Sequence, residues 1–471
     1  MQAREVVSFR SAKYMSQYIK EQWQLAAQSV RHSNSHKVME AYYGCMDQMC
    51  CCSTKQLNCI HISAIVNGTA KLWGAAGTRQ SGLAGEQQAE QNLRDFIARM
   101  LERLEPLLPA VSARAAASLL WSSAKLGLNP NALVPGMTDS LAREFMADID
   151  AATGQQLASV LVACAKLRLS PCQGGLFKAI LHRLATGDLS QFNPQTMANV
   201  LHSLAKLPAA APSIEVLDAL CKRFGVLLNS RQTCELRDAQ NIANTLWALS
   251  KLKHAPSDEL AMTMVGRMVA LCHLPGQQPA PQALSNALLA CAELRLPVKQ
   301  ADTDSLVSFL LSLDRQHVGK QDCANTAWGL SVLGHLRVAQ LDLLLDQLAA
   351  LSIDHRELSQ TSLLNVVDLH QLYLALDWLQ PPENADIQQG KAWQSLKEKL
   401  GNLGPQPACN TEPHPRAQLV CSALTQLGVR FKAIPVISGY RTAAVLEPIG
   451  SAPLIVISFD LKLCLNNQPS R

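Results

Sequence analysis

Lysine recurs at the end of a short repeated stretch of this sequence, seven residues after a small polar residue and four after a variable one. Two copies read "QTMANVLHSLAKL", from Gln195, and "QNIANTLWALSKL", from Gln240. A lysine ammonium binds phosphates, an aromatic side chain stacks on bases, and an amide hydrogen-bonds to base edges. The pattern therefore suits recognition of a single-stranded nucleic acid.

The pattern occurs seven times when the first of these three positions is taken as an anchor. The anchors are Ala64, Ser118, Ser159, Asn199, Asn244, Asn286 and Asn325. The residues at anchor +3 are Asn67, Trp121, Val162, His202, Trp247, Leu289 and Trp328. The residues at anchor +7 are Lys71, Lys125, Lys166, Lys206, Lys251, Glu293 and Val332. We predict ligand contacts for Ser118, Trp121, Lys125, Ser159, Lys166, Asn199, His202, Lys206, Asn244, Trp247, Lys251, Asn286, Asn325 and Trp328.

Each of these rows also has a structural interpretation. Lysine in the last turn of a helix is favoured by the helix dipole and by the free carbonyl groups there, with or without a ligand. Tryptophan can pack between repeats as readily as it stacks on a base. A ladder of asparagines can tie one helix to the next. The sequence leaves these alternatives open.

The elements that carry these rows are predicted to be paired helices. The apolar residues fall at anchor −2, +1, +2, +5 and +8, with a single serine or threonine among these positions in four copies. These positions form one face of an α-helix, and their spacing is incompatible with a strand. A turn and a second amphipathic run follow, as in "HAPS" before "DELAMTMVGRMVALC". The anchors are 54, 41, 40, 45, 42 and 39 residues apart, and a period near forty is typical of two-helix repeats.

Composition agrees with a helical repeat protein. Alanine and leucine dominate and aromatic residues make up only 5% of the 471 residues. The formal net charge of +5 is too small to indicate a nucleic-acid partner by itself. The 15 cysteines are scattered through helical segments as small apolar residues, which favours a reducing compartment. No run of eighteen apolar residues is present, so we predict no membrane span.

The predicted fold is all-α, an αα-repeat solenoid of about seven two-helix units with a small C-terminal α/β module. A poorly structured segment is expected at residues 1–55 and the solenoid at 56–380. A linker with one short helix is expected at 381–415. The α/β module is expected at 416–462, with a helix at 417–428 that ends at Gly428 and strands at 431–437 and 454–459. Residues 463–471 form a tail.

The segments "FNPQTMANVLHSLAKL", "QNIANTLWALSKL" and "QDCANTAWGLSVLG" resemble the octotricopeptide repeats of algal organelles and the leucine-rich segments of FAST-kinase-like proteins. "LHQLYLALDWL" at residues 369–379 is similar to the segment that precedes a C-terminal RAP domain in those families. The resemblance implies binding of organellar RNA and a role in its processing, stability, splicing or translation. It also implies a mitochondrial matrix or chloroplast stroma location, between which the sequence does not decide.

The end of the chain departs from a complete RAP domain. Where the family has an aspartate after its central glycine and a later glutamate, this sequence has Ala443 and Ser458, and only Asp460 matches. A nuclease-like site needs clustered carboxylates to hold a metal ion. We therefore expect no catalytic residues, no metal, no cofactor and no enzymatic activity.

Three functional classes remain, of which an RNA-processing enzyme that uses the C-terminal module ranks last because the clustered carboxylates are missing. The first is an RNA-binding repeat protein whose partners are single-stranded organellar RNA and other ribonucleoprotein components. The alternative is a protein-binding αα-solenoid scaffold without RNA affinity, because such repeats present peptide-binding surfaces equally well.

Overall fold

The computed structural model describes Glu21, residues 57–76, 86–230, 236–274, 278–314 and 316–337, parts of 339–347, and four strands near the C-terminus. Four predicted parts lie outside the described residues, namely the remainder of the N-terminal segment, the segment at 369–379, the linker with its helix and the tail. The chain divides into an N-terminal unit, Met1–Thr263, and a C-terminal unit, Met264–Arg471.

Two kinds of helix alternate along the described chain, which is an all-α repeat fold. Helices A, which carry the seven anchors, are α1 (Cys59–Ala76), α3 (Ala113–Leu126), α6 (Gly154–Leu167), α8 (Pro194–Lys206), α10 (Leu236–Leu252), α12 (Pro281–Leu294) and α14 (Lys320–Leu333). Helices B are α2 (Glu86–Leu104), α5 (Met137–Ala147), α7 (Gly175–Thr186), α9 (Ile214–Ser230), α11 (Asp258–Cys272) and α13 (Gln300–Ser312). A one-turn helix, α4 (Pro130–Leu133), precedes α5.

Polar side chains cap the N-termini of several helices A. Ser112 Oγ accepts from the Ala115 N–H at 3.3 Å, and Asn193 Oδ1 accepts from the Thr196 N–H at 2.8 Å. Thr153 forms a capping box with Gln156, in which each side chain bonds to the other's backbone N–H. These bonds satisfy N–H groups that have no partner inside the helix.

Five helices A end in the same way. The residue at anchor +9 has a positive φ, and the next N–H donates to the carbonyl at anchor +5, which is a Schellman motif. The donor to acceptor distances are 2.9 to 3.0 Å at Leu128, Leu169, His254, Leu296 and His335. The repeat period is therefore visible in the backbone as well as in the side chains.

Helices A pack directly on one another within each unit. In the N-terminal unit the contacts run in chain order through α1, α3, α6, α8 and α10, and in the C-terminal unit α12 contacts α14. Small residues at anchor −1 and +4, such as Ala198 and Ser203, are buried between these helices and permit the close approach. Four helices B of the N-terminal unit each bury one phenylalanine, namely Phe96, Phe145, Phe177 and Phe224. The core therefore lies between the layer of helices A and the layer of helices B.

Gly329, at anchor +4 of α14, is the tightest of these approaches. A β-carbon at this position would lie 3.0 Å from the Leu288 carbonyl oxygen of α12. We expect Gly329→Ala to lower the free energy of unfolding by about 1 kcal/mol, because the overpacking cost exceeds the gain in helix propensity. Chemical denaturation measures this change. Gly266→Ala is the matched control, because a β-carbon there meets no atom within 4 Å, and it should stabilise by about 0.5–1 kcal/mol. Destabilisation by both changes would contradict the close-contact explanation.

Four short strands form an antiparallel sheet near the C-terminus. The central strand β3 (Tyr440–Leu446) pairs with β1 (Phe431–Lys432), β2 (Val436–Ile437) and β4 (Ile455–Ser458). The sequence predicted strands in the segments that contain β1, β2 and β4, but it did not predict β3, in which Arg441 and Thr442 interrupt the apolar run. The helix that the sequence predicts at 417–428 lies outside the described residues.

Candidate nucleic-acid interface

The predicted rows of the N-terminal unit lie on a partly exposed face of the helices A. Residues at the anchor and at +3, such as Asn199 and His202, are half-buried, whereas the apolar residues at −2, +1, +2 and +5 are buried. Lys166, Lys206 and Lys251 are exposed, and Lys125 is half-buried. The polar residues of this face are therefore accessible to a ligand, and the buried apolar residues of the same helices hold them in place.

The rows of α8 and α10 meet at Trp247. The ring of His202 lies 4.8 Å from the Trp247 ring, centroid to centroid, at an interplanar angle of 45°. Lys206 Nζ is 5.7 Å from the Trp247 ring and Lys251 Nζ is 6.0 Å from it, so two cations from successive helices approach one indole. We refer to these four residues as the Trp247 cluster. It brings together the +3 and +7 rows of two repeats.

A smaller version of this arrangement occurs on α3. Lys125 Nζ lies 5.2 Å from the ring of Trp121 on the same helix. The anchor Ser118 accepts a hydrogen bond from Asn67 Nδ2 of α1 at 3.0 Å, so anchor and +3 positions of neighbouring helices are in register here too. Asn67 was not among the predicted contacts, and the structure gives it a bridging role between repeats.

The two copies in the C-terminal unit have a different chemistry. Asn325 Nδ2 donates to Asn286 Oδ1 at 3.3 Å, and Asn325 is only 8% exposed. This pair ties α14 to α12, which is the structural interpretation of the asparagine row. At +7 the lysine is replaced by Glu293 and Val332. The half-buried Trp328 therefore has no lysine at +7 in its own copy.

Charge is segregated between the two helix layers of the N-terminal unit. Helices A carry seven basic residues, which are Lys71, Arg114, Lys125, Lys166, Lys206, Arg237 and Lys251. They carry one carboxylate, Asp238, which is 1% exposed. The helices B α2, α5, α7 and α9 carry eight basic and eight acidic residues. The helices A of this unit therefore carry a net positive charge and these helices B carry none, although the net charge of the whole chain is small.

A fourth row on this face was missed in the sequence. Glutamine stands four residues before the anchor in five copies, and all five side chains are exposed, namely Gln155, Gln195, Gln240, Gln282 and Gln321. Gln240 Nε2 donates to Oδ1 of the anchor Asn244 at 2.9 Å. Positions four apart lie on the same side of a helix, so the same periodicity could have found this row.

His202 is held in its neutral form. Burial, followed by the nearby Lys206 ammonium, lowers the pKa of His202 to about 4. The ordinary value in an unfolded chain is about 6.5, so as the pH falls the unfolded chain takes up this proton before the folded chain does. Between about pH 6.5 and 4, His202 therefore causes a loss of stability as the pH decreases.

We expect His202→Gln to reduce this acid sensitivity. The melting temperature of the variant should fall less between about pH 7 and pH 5 than that of the wild-type protein, since glutamine has no proton to take up. Thermal denaturation of both proteins at the two pH values measures the difference. Equal losses would contradict the assignment.

The described residues contain buried thiols but no grouping of side chains suited to a metal ion. The cysteines of the described residues are free, and burial raises the pKa of Cys164, Cys221, Cys291 and Cys323 to about 12. Such thiols stay protonated and behave as small apolar residues. Among the described helices, none has both the length and the apolar character that a membrane crossing requires.

The described helices define an all-α repeat protein, and in its N-terminal unit the helices A carry a basic face with Trp121, His202 and Trp247. No family model matches the sequence, and no curated protein matches it. Among solved structures, the chain is similar to a "Circular tandem repeat protein with novel repeat topology and enhanced subunit contact surfaces", at 11% identity and a TM-score of 0.21. The match covers 89% of this chain and 87% of that chain, and at this TM-score it carries no argument about the present protein.

Proposed function

We propose that the helices A of the N-terminal unit bind single-stranded RNA and that the protein acts without catalysis. The observation that carries this proposal is the charge segregation, with seven basic residues and one buried carboxylate on helices A against balanced charge on helices B. The helix dipole favours a lysine in the last turn of any helix, but it does not explain why these helices A carry only one carboxylate. A polyanion that follows the helices A accounts for both the lysines and the scarcity of carboxylates.

The aromatic residues favour a single strand over a duplex. Trp121, His202 and Trp247 are half-buried on the basic face, and a ring stacks only on a base that is not already stacked in a helix. In the Trp247 cluster, Lys206 and Lys251 lie within about 6 Å of the ring, close enough for phosphates to be held beside a base on the indole. Anchor amides and the exposed glutamines supply donors and acceptors for base edges.

The cellular setting follows from the resemblance described above. We place the protein among organellar RNA-binding proteins that act in RNA processing, stability, splicing or translation, with the C-terminal strands as part of a degenerate RAP-like α/β module. The RNA would be mitochondrial or chloroplast RNA, bound with other ribonucleoprotein components. Crosslinking in cells, followed by sequencing of the bound RNA, identifies the target and the organelle.

Binding to a labelled single-stranded RNA of mixed sequence tests the proposal directly. Fluorescence anisotropy at several KCl concentrations should give a dissociation constant that rises with salt, with a slope of about 0.7 per phosphate contact in logarithmic units. An RNA duplex of the same length should bind more weakly, because its bases are not available for stacking. Equal affinity for the duplex would contradict the role of the aromatic residues.

The scaffold alternative gives a different result. A repeat protein that binds only other proteins shows no salt-dependent affinity for RNA. An acidic peptide such as polyglutamate provides the second comparison, since it has charge without bases. If polyglutamate displaces the RNA at equal charge concentration, the face is a binding site for acidic proteins and the RNA proposal is wrong.

A further inference from the structure

The residue that ends each helix A is basic in three copies where its backbone favours glycine. At anchor +9, Arg168, Lys253 and Arg295 have φ values of 53°, 55° and 54°. The equivalent residues of two other copies are Gly127 and Gly334, with φ values of 72° and 73°. The five form the same Schellman motif, so the conformation is set by the helix end and not by the residue.

A left-handed backbone is unfavourable for any residue with a β-carbon, and glycine avoids this cost. In the described part of the chain only four residues other than glycine have a positive φ, and three of them are these basic residues. Glycine is present at the same position in two sister copies, so it is compatible with the fold. The presence of arginine and lysine where glycine would fit therefore indicates that these side chains have a role.

Arg168 and Lys253 stand next to the lysine row in the sequence. Each follows a row lysine, Lys166 or Lys251, by two residues, so that the paired Cα atoms are at most about 7 Å apart. All four of these residues are exposed. Two cations this close at one helix end are suited to neutralise phosphates of a phosphodiester backbone.

We infer that Arg168 and Lys253 bind phosphates of the RNA backbone beside the lysine row. This inference rests on the proposed function and names a further set of contacts for it. A cation at the last position before the chain turns away from the helix must adopt the left-handed backbone, which is energetically unfavourable for a residue with a β-carbon. Arg295, in the C-terminal unit, has the same conformation but follows Glu293 instead of a lysine.

The competing explanation is that these side chains only stabilise the helix C-terminus through its dipole. The two explanations give opposite signs when glycine is introduced. If the strain dominates, Arg168→Gly with Lys253→Gly raises the melting temperature by a few degrees, since glycine accepts the left-handed conformation. If the dipole dominates, the melting temperature falls.

The double glycine variant of the full chain tests the inference on a labelled single-stranded RNA. We expect an affinity about 25-fold lower at 0.1 M KCl and a salt slope reduced by about 1.4, because each phosphate contact contributes about 0.7 to the slope. Arg168→Lys with Lys253→Arg keeps both charges and should keep the affinity. An unchanged affinity and slope in the glycine variant, or a melting temperature several degrees lower, overturns the inference.

The control removes two exposed lysines from helices B of the same unit. Lys178→Gln with Lys222→Gln loses the same charge away from the proposed interface and should leave affinity nearly unchanged. An equal loss in this control would show a general charge effect and would also overturn the inference. RNA binding that is weakened by changing the row lysines but not by the glycine variant removes this inference alone. A wild-type protein without RNA affinity removes the proposed function and this inference with it.

Discussion

Changing Lys125, Lys166, Lys206 and Lys251 together to glutamine is expected to lower the affinity for single-stranded RNA by about 600-fold at 0.1 M salt. Each lysine that neutralises a phosphate contributes about 0.7 to the salt slope, so four contacts contribute nearly 3. Anisotropy titrations over a range of KCl concentrations measure both quantities. An unchanged slope would show that these lysines do not contact phosphates.

The same variant separates phosphate binding from helix stabilisation. Glutamine has nearly the helix propensity of lysine, so the phosphate interpretation predicts little change in melting temperature. The dipole interpretation predicts a loss of about 0.3–1 kcal/mol of stability per site with RNA binding intact. The matched control changes Arg94, Arg99, Lys178 and Lys222 to glutamine, all of which are exposed on helices B. It should retain most of the RNA affinity.

Changing Trp247 to alanine is expected to weaken RNA binding by about 5-fold to 150-fold, which corresponds to the 1–3 kcal/mol of one base stacking on an aromatic ring. Because the indole is uncharged, the salt slope should stay the same. Trp247→Phe should recover part of the affinity, since phenylalanine also stacks. Anisotropy titration at one salt concentration, repeated at a second, distinguishes this effect from loss of a phosphate contact.

Trp328→Ala is the comparison for this experiment. Trp328 is half-buried at the same position of its own repeat, but the +7 residue there is Val332 instead of lysine. A small effect at Trp328 and a large one at Trp247 would confine the RNA site to the N-terminal unit. A wild-type affinity in Trp247→Ala would contradict base stacking at this ring.

The helices A were predictable because the same apolar spacing recurs in all seven copies. One copy alone shows this pattern only weakly, but its recurrence makes it clear. In the fourth copy the pattern consists of Met197, Val200, Leu201 and Leu204, and all four are buried. Helix α11 was predicted from "DELAMTMVGRMVALC" as an amphipathic run that follows a turn, and its bounds are those of that segment. Repetition thus separates the core positions, which stay apolar, from the surface positions, which vary.

The contacts within the site depended on information that the sequence does not carry. Whether Trp247 touches His202 is decided by how α8 and α10 are rotated against each other, and that follows from the packing of the whole layer. The left-handed backbone at Arg168 and Lys253 was hidden because arginine and lysine give no local signal for it. The basic residues of helices A are present in the sequence, but their excess over the acidic residues becomes apparent only once the bounds of each helix are known.

The direct packing of the helices A on one another within each unit has a consequence for how such a chain evolves. The anchors are 39 to 45 residues apart over the last six copies, yet the helices A that carry them keep the same pattern, and five of these six have the same kind of ending. Because insertions fall in the connections and each internal copy meets mainly its neighbours, a gene can gain a copy by tandem duplication without a new core having to arise. Single surface residues, such as His202 against Trp247, can then diverge between copies while the packing positions stay apolar.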